Sequence, residues 1–342
     1  MKITRVGLDI VKLVFQVHAV NEHGVEQGRK TLARAKVLEY FTQLPPCLIG
    51  MEVCGGAHYW AREFAKLGHT VKLVAAQFVT PYRKRGKNDA NDAEAICEAV
   101  GRPNMHFVPV KSEEQQAVLM VHRARSLIVA NRTALANQIR GLLTEFGVVV
   151  PKGIAKLRRQ LPQILEDAEN GLTALAREVL ADLLEQFREL DRRVQQYDVR
   201  IRELAQQSEP ARRLMQIESI GAMTATAIVA GMGDPFKSAR NYAASLGLTP
   251  RQDSSGGTTR LGSITKQGDR YLRTLLVHGA RSHLRVVDKK KDEKSAWARR
   301  LKERRHVNVA AVTFAAKHAR IAWAIMAKGT EYRPAQLQEA AA

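Results

Sequence analysis

Short apolar segments separated by glycines and prolines occupy the first hundred positions of the chain. Residues 3–20, ITRVGLDIVKLVFQVHAV, are rich in Val, Ile and Phe and predict a strand that carries Asp9 and extends toward a hairpin at 21–24. The segments that follow predict a helix near 35–44, a strand near 47–53, a helix near 57–67 and a strand near 69–76. Strands followed by alternating helix and strand predict an α/β domain.

Helical patterns dominate the central part of the sequence. The Ala-rich stretch after Lys87 predicts a helix that Asn88 or Asp89 caps, and a basic helix is predicted over 113–146. Between 172 and 206, apolar residues recur at alternating spacings of three and four, at Leu180, Leu183, Phe187, Leu190, Val194, Tyr197, Ile201 and Leu204. This period of about 3.5 residues is typical of a coiled-coil seam, and the alternative is one amphipathic helix packed on its own domain.

The last third of the chain combines an apolar helix with basic segments. Small residues around Gly221, followed by apolar residues up to 233, are typical of a helix-hairpin-helix element, whose backbone N–H groups can face a phosphate. The alternative is that Gly221 ends a helix. A helix is predicted over 268–284, and residues 285–306 are dense in Lys and Arg. The segment after Pro334 predicts a frayed tail.

The net charge of the chain indicates which kinds of partner it binds. Lys and Arg number 54 against 34 acidic residues in 342, so the net charge is +20, which favours nucleic acid or an anionic membrane as partner. No apolar run approaches the roughly 18 residues that span a bilayer, and charged residues interrupt the N-terminal apolar stretch, which argues against a signal peptide. We therefore expect a cytoplasmic protein that binds nucleic acid. The cysteines form no C-x-x-C pair and are expected to be reduced core thiols, not zinc ligands: Cys47, Cys54 and Cys97.

Four acidic residues are candidates for a metal site. Asp9 and Glu52 lie in or at the end of apolar strands, where burying an unpaired charge is costly, and Asp89 and Asp92 share one face of a helix. Carboxylates that converge from separate elements, as in an RNase H-like fold, can hold Mg²⁺. Two such ions stabilise the attacking and the leaving oxygen of a phosphodiester displacement. Each acid taken singly is more often a surface charge or a helix cap.

A Ser/Gly loop among basic residues is the second candidate site. Ser254 and Ser255 precede Gly256-Gly257, where the backbone can approach a bulky substrate. A serine attacks a phosphodiester once its proton is removed, and guanidinium groups pair with phosphate oxygens. The basic residues near the loop are Arg251, Arg260, Lys266, Arg270 and Arg273. The alternative is a flexible polar loop that touches the DNA backbone.

In this order and spacing, the motifs resemble those of the DEDD-type insertion-sequence transposases, the bridge-RNA-guided recombinases of bacterial mobile elements. The resemblance covers almost the whole chain. It is carried by GLD at 7–9, MEV at 51–53, RGKNDANDAEA at 85–95, IESIG at 217–221, GLTPR at 247–251, SSGG at 254–257 and KQGDRYLR at 266–273.

The resemblance implies both a domain plan and a site. The domains would be an α/β RNase H-like (RuvC-like) domain over 1–150, a mainly α-helical coiled-coil linker for oligomerisation over 151–210, a transposase domain with the helix-hairpin-helix over 211–334, and a flexible tail over 335–342. The four acids coordinating Mg²⁺ would be Asp9, Glu52, Asp89 and Asp92. A serine would become covalently linked to DNA. Alignment on Pro250-Arg251 gives Ser255, with Ser254 as the fallback.

The expected function is therefore RNA-guided DNA strand cleavage and exchange. The implied partners are donor and target DNA, a structured bridge RNA, and further copies of the chain in a dimer to tetramer. Arg251, Arg260 and Arg270 are candidates for balancing charge on the phosphate. Aromatic residues make up only 6% of the chain, which argues against base stacking as the main recognition mode. The alternatives are a RuvC-like metal-dependent junction nuclease, and a nucleic-acid-binding protein without catalysis.

Overall fold

The computed structural model describes residues 2–84, 88–233, 236–290 and 292–332. Contacts divide the chain into two units, Met1–Glu113 and Glu114–Ala342. The predicted tail over 335–342 and the first three residues of the motif at 85–95 lie outside the described residues. The domain boundaries predicted at 150 and 210 stay predictions.

A mixed six-stranded sheet, in the order β3-β2-β1-β4-β5-β6, organises the first unit. Its strands are β1 (Arg5–Ile10), β2 (Val14–Val20), β3 (Glu26–Ala33), β4 (Leu48–Glu52), β5 (Thr70–Val74) and β6 (Phe107–Val108). The first three form an antiparallel meander, β4 and β5 run parallel to β1, and β6 is antiparallel to β5. The predicted α/β architecture is confirmed, and this sheet is compatible with an RNase H-like domain.

The pattern of the apolar run over 3–20 predicts one strand, but the run forms two strands joined by a turn, so that prediction is wrong. β1 ends at Ile10 and β2 begins at Val14. The backbone N–H of Val11 donates to the carbonyl of Val14 (3.1 Å) and closes a turn that contains Lys12. This turn has neither glycine nor proline, so the hydrophobic pattern passes through it without interruption.

Helices cover both faces of the sheet. They are α1 (Val37–Thr42), α2 (Ala57–Lys66), α3 (Ala76–Val79) and α4 (Asp89–Val100). One core joins α1 and α2 to alternate residues of β1 and β4, namely Val6, Leu8, Ile49 and Met51. Successive side chains of a strand point to opposite faces. The residues between and after them, Gly7, Asp9, Gly50 and Glu52, therefore lie on the face that α4 covers.

The described part of the second unit is helical apart from one small hairpin and the connecting segments. Its helices are α5 (Glu113–Glu145), α6 (Ile154–Glu166), α7 (Ala174–Gln207), α8 (Glu209–Met215), α9 (Ala222–Met232), α10 (Ala239–Ser245), α11 (Arg270–Val286), α12 (Glu293–Arg304) and α13 (Val307–Lys328). The hairpin pairs β7 (Pro250–Gln252) with β8 (Leu261–Ile264). Across the described ranges, every helix falls short of the length and apolarity that a membrane span requires.

Helix α7 is continuous over the segment for which a coiled coil is predicted. Its buried residues are Leu180, Leu184, Phe187, Asp191, Val194, Ile201 and Ala205. Leu180, Leu184 and Phe187 share a core with residues of α5 and α6, whereas four positions of the predicted seam, Leu183, Leu190, Tyr197 and Leu204, are half-buried. The buried face of α7 is thus covered within its own unit, as the alternative interpretation expects. Pairing of α7 with another helix in a coiled coil stays a prediction.

The segment predicted as a helix-hairpin-helix contains two helices, α8 and α9, joined by residues 216–221. Gly221 is the N-cap of α9 with extended backbone, so it begins a helix and does not end one. Ser219, two residues earlier, has a φ of 73°, a left-handed conformation that is uncommon for residues other than glycine. The assignment of this turn to a phosphate-binding motif stays a prediction.

Candidate metal centre and serine hairpin

The ends of β1 and β4 place two of the predicted acids side by side. The strands are parallel, and their register pairs Gly7 with Gly50 and Leu8 with Met51. Asp9 and Glu52 are the next residues of the two strands. Because they occupy equivalent positions on the face covered by α4, both carboxyl groups belong to one edge of the sheet.

Two glycines let α4 lie directly on these strands. A Cβ built on Gly7 would be 2.0 Å from the carbonyl oxygen of Ala93, and one built on Gly50 would be 2.8 Å from the Cβ of Val100. Any larger residue would push the helix away from the sheet. The close packing brings the first turn of α4, and with it the remaining two acids, toward Asp9.

The N-terminus of α4 presents the other two acids. Asn88 is the N-cap, as predicted, and its side-chain oxygen accepts from the backbone N–H of Asn91 (2.7 Å). Asp89 and Asp92 lie in the first turn, where the helix dipole favours negative charge. One carboxylate oxygen each of Asp9, Asp89 and Asp92 lie within 4.8 Å of one another.

The electrostatics of Asp9 show that this cluster is short of positive charge. The pKa of Asp9 rises from 3.8 to about 6, first because the side chain is buried and then because Asp89, Asp92 and Glu52 repel a further negative charge. Glu52 is outside the closest group of three but acts on the same carboxyl. Convergent carboxylates with unbalanced charge are the oxygen ligands that hard divalent cations prefer, so these residues fit a divalent metal ion.

One basic residue of this site was missed by the sequence-based reasoning. Nε of Arg83 lies 2.5 Å from Oδ1 of Asp92, and both side chains are largely buried. The only signal in the sequence is the basic run RKRGK at 83–87, immediately before the acids. That run predicts positive charge near the site but not which side chain reaches a carboxylate.

The predicted serines lie in an exposed hairpin of the second unit. The backbone N–H of Thr258 donates to the carbonyl of Ser255 (3.0 Å), and the two residues between them, Gly256 and Gly257, have φ of 54° and 77°. Positive φ at both central positions is the geometry of a tight two-residue hairpin turn, which glycine adopts without strain. Residues 250–263 are all exposed. The turn therefore presents both serines to solvent.

The two serine hydroxyls have different surroundings. Oγ of Ser254 accepts from Nε2 of Gln252 (3.0 Å) and from the backbone N–H of Arg260 (3.2 Å). Within the described ranges no hydrogen bond is formed by the hydroxyl of Ser255. The lone pairs of Ser254 thus hold the hairpin together, whereas those of Ser255 are available to a substrate.

Four of the five basic candidates near the hairpin are exposed: Arg251, Arg260, Lys266 and Arg270. Arg273 is held differently, because its Nη1 donates to the carbonyls of Leu246 and Gln267 (both 2.8 Å). It fastens the segment after α10 to the segment before α11. Contact of any of the five with a phosphate stays a prediction.

Comparison with known proteins agrees with the sequence motifs. Residues 6–148 match the family model of the DEDD transposases of the IS110 type, and residues 211–296 match the model described as "Transposase IS116/IS110/IS902 family". The acid cluster falls in the first match and the serine hairpin in the second. Membership of the DEDD family implies a divalent metal ion, which agrees with the convergent acids.

Three relatives match over at least 90% of their own length. A probable family 20 transposase of Pseudomonas aeruginosa is 49% identical over 98% of this chain and 100% of its own. The transposase for insertion sequence element IS1111A of Coxiella burnetii is 40% identical over 96% of this chain and 90% of its own, and that for IS1328 of Yersinia enterocolitica is 38% identical over 96% and 98%. The chain therefore belongs to the IS116/IS110/IS902 family and is a DNA transposase of an insertion sequence.

Proposed function

We propose that this transposase cleaves and rejoins DNA through a covalent serine–DNA intermediate, assisted by Mg²⁺ at Asp9, Glu52, Asp89 and Asp92. The observation that carries the proposal is the convergence of three carboxylates within 4.8 Å from a strand and a helix. Mg²⁺ prefers oxygen ligands and, when bound, would polarise and position the scissile phosphate. Glu52 completes the set from the neighbouring strand, and its effect on the pKa of Asp9 supports this assignment.

Ser255 is the proposed nucleophile. Its Oγ forms a bond to phosphorus as its proton leaves, and the bond from phosphorus to a deoxyribose oxygen breaks, so that this oxygen departs as a hydroxyl. The phosphoserine link keeps the energy of the phosphodiester, and attack by a strand hydroxyl releases the serine again without ATP. The hydrogen bonds that Ser254 accepts within the hairpin support Ser255 over Ser254.

The basic residues in and near the hairpin have a proposed electrostatic role. Arg251, Arg260 and Arg270 would pair with phosphate oxygens as negative charge grows during attack. Lys266 would add a point charge next to them. Arg273 would act through the loop that it fastens, because its guanidinium already donates to two carbonyls.

We also propose that the DNA sequence is recognised by a structured bridge RNA, which pairs with donor and target DNA. The net charge of +20 suits a nucleic-acid backbone, and the 6% aromatic content leaves few groups for stacking on bases. The protein would act as a dimer to tetramer in which the acids of one subunit work with the serine of another.

A covalent-adduct assay tests the mechanism. Full-length protein is incubated with Mg²⁺, the RNA of the element and labelled donor and target DNA, and adducts are resolved on denaturing gels. The variants are Ser255→Ala, the matched control Ser254→Ala, and Asp9→Ala. We expect an adduct in the wild type and in Ser254→Ala, and none in Ser255→Ala or Asp9→Ala.

Other outcomes point to the alternatives. Cleavage without adduct that survives Ser255→Ala and is lost in Asp9→Ala would mean a metal-dependent junction nuclease whose hairpin only holds DNA. Adduct formation that does not change when the RNA is omitted or scrambled would refute RNA guidance while leaving the serine mechanism in place.

A further inference from the structure

Arg83 is a cation inside the acid cluster with no role in the mechanism proposed above. It follows a short 3₁₀ turn over 80–82 and has extended backbone, with its N–H donating to the carbonyl of Thr80 (3.1 Å). Its side chain is 27% exposed and that of Asp92 is 12% exposed. The side chain of Arg83 is thus partly exposed, whereas its Nε and Oδ1 of Asp92 are both buried.

The contact between Arg83 and Asp92 has the form of a charge pair. Nε and Oδ1 are 2.5 Å apart, yet neither atom forms a well-aligned hydrogen bond. Firmly held arginines instead grip a carboxylate through two parallel N–H donors. We expect an ion pair that lacks this geometry to be held mainly by charge attraction and to be exchangeable for a stronger cation.

The position of the pair makes Arg83 a competitor for one of the metal ligands. Asp92 is one of the three carboxylates that converge, so a divalent cation bound to them competes with the guanidinium for the same group. A divalent cation carries twice the charge of Arg83 and would be held by all three acids. Arg83 contacts only one of them.

The next residue supplies a natural comparison. Nζ of Lys84 lies 2.5 Å from Oε1 of Glu94, an ion pair as short as that of Arg83. Glu94 is also paired with Arg29 of β3 (2.9 Å) and is not among the three convergent acids. Lys84 and Arg83 thus make similar contacts to the same helix, but only the contact of Arg83 overlaps the metal ligands.

We infer that Arg83 is the counter-ion of Asp92 in the metal-free site, that a divalent cation displaces it, and that the released guanidinium binds an oxygen of the scissile phosphate. This inference rests on the proposed metal site. It makes Arg83 a counter-charge for one of the acids while the metal is absent. Once the metal is bound, Arg83 becomes a phosphate contact.

Manganese affinity tests the displacement without any cleavage. Full-length wild type, Arg83→Gln, Lys84→Gln and Asp9→Asn are titrated with Mn²⁺, and free Mn²⁺ is followed by electron paramagnetic resonance. Because the competitor is removed, we expect Arg83→Gln to bind Mn²⁺ about tenfold more tightly, a gain of about 1.4 kcal/mol. Lys84→Gln removes the same charge from the same segment and should stay within about twofold of the wild type.

The direction of the change in Mn²⁺ affinity distinguishes a displaced counter-ion from a residue that orients Asp92. Unchanged or weaker Mn²⁺ binding in Arg83→Gln would overturn the inference, because a residue that only orients Asp92 would weaken the site when removed. The Asp9→Asn variant tests separately whether the acid cluster binds the metal at all. If it binds Mn²⁺ as well as the wild type does, the acid cluster is not the metal site and the proposed function fails with it.

DNA affinity tests the release of the guanidinium. Binding of a short duplex is measured in EDTA and in Ca²⁺, which occupies oxygen sites. We expect Arg83→Gln to match Lys84→Gln in EDTA and to bind about fivefold more weakly than Lys84→Gln in Ca²⁺. An equal deficit of the two variants in both conditions would show that Arg83 contributes only general charge and would overturn this part of the inference.

Discussion

Replacement of Asp9 by Asn should stabilise the metal-free protein while destroying its metal site. The pKa of Asp9 is raised from 3.8 to about 6 by burial and by three neighbouring acids. Each pKa unit corresponds to about 1.4 kcal/mol, so ionised Asp9 costs the folded first unit at most about 3 kcal/mol. Because the side chain is partly exposed, we take about 1–2 kcal/mol as the expected gain from Asp9→Asn.

The sign of this effect depends on pH. The folded pKa of Asp9 lies above the unfolded value, so its contribution to stability is complete below the unfolded pKa of 3.8 and is lost as the pH rises through about 6. The Asn variant cannot ionise and does not suffer this loss. In EDTA we therefore expect it to exceed the wild type in stability at about pH 8 and to approach it at about pH 4.

Calorimetry in EDTA and in Mg²⁺ measures both predictions. For a unit of this size, about 1 kcal/mol shifts the melting temperature by roughly 4–8 °C. The transition of the first unit is the one that Mg²⁺ raises in the wild type, because a ligand stabilises the state to which it binds. Asp9→Asn should melt higher than the wild type in EDTA and should gain nothing from Mg²⁺. A lower melting temperature in EDTA would refute the reasoning, since it would mean that ionised Asp9 has a favourable partner.

Three further predictions concern the second unit. Burial lowers the pKa of His122 to about 4. Because the folded pKa lies below the unfolded value of 6.5, the protein loses stability as the pH falls from 6.5 to about 4. In thermal melts, His122→Gln should therefore lose about 2–3 kcal/mol less stability on acidification than the wild type. Asp191→Ala removes the carboxylate that accepts from Nη1 of Arg132 (2.6 Å), and should lower the free energy of unfolding in urea by about 3 kcal/mol. The same substitution at the more exposed Asp198, which pairs with Arg125, should lower it by about 1 kcal/mol or less. Gly257→Ala puts a side chain at a φ of 77° and should slow adduct formation on gels without changing the melting temperature.

The convergence of the acids could be predicted from the sequence because strand geometry has a fixed period. Alternation places Asp9 on the opposite face from Leu8, and Glu52 on the opposite face from Met51, and parallel strands bring their carboxyl ends to one edge. The spacing of three between Asp89 and Asp92 then puts both on one side of a helix. The division of 3–20 into two strands had no such signal, because its turn contains only ordinary residues.

The roles of individual polar side chains could not be read in the same way. Arg83 precedes Asp92 by nine positions, a spacing that corresponds to no repeat of a helix or a strand. Their contact arises because the turn over 80–82 lies against α4. The distinction between Ser254 and Ser255 likewise depends on how the hairpin closes. Gln252 and Arg260 come from its two sides and meet at Ser254.

Helix α7 shows what periodicity leaves undetermined. The apolar repeat fixes Leu180, Phe187, Val194 and Ile201 as inward-facing, and these are buried. The positions three residues after these four are all apolar, whereas the positions four residues after them include Leu184, Asp191 and Asp198. The buried face nevertheless includes Asp191. Arg132 of α5 and Arg158 of α6 both pair with Asp191, and these two ion pairs allow its carboxylate to be buried. In the first unit, too, Arg83 pairs with Asp92 at a spacing that matches no local repeat, so pairings of this kind depend on tertiary packing.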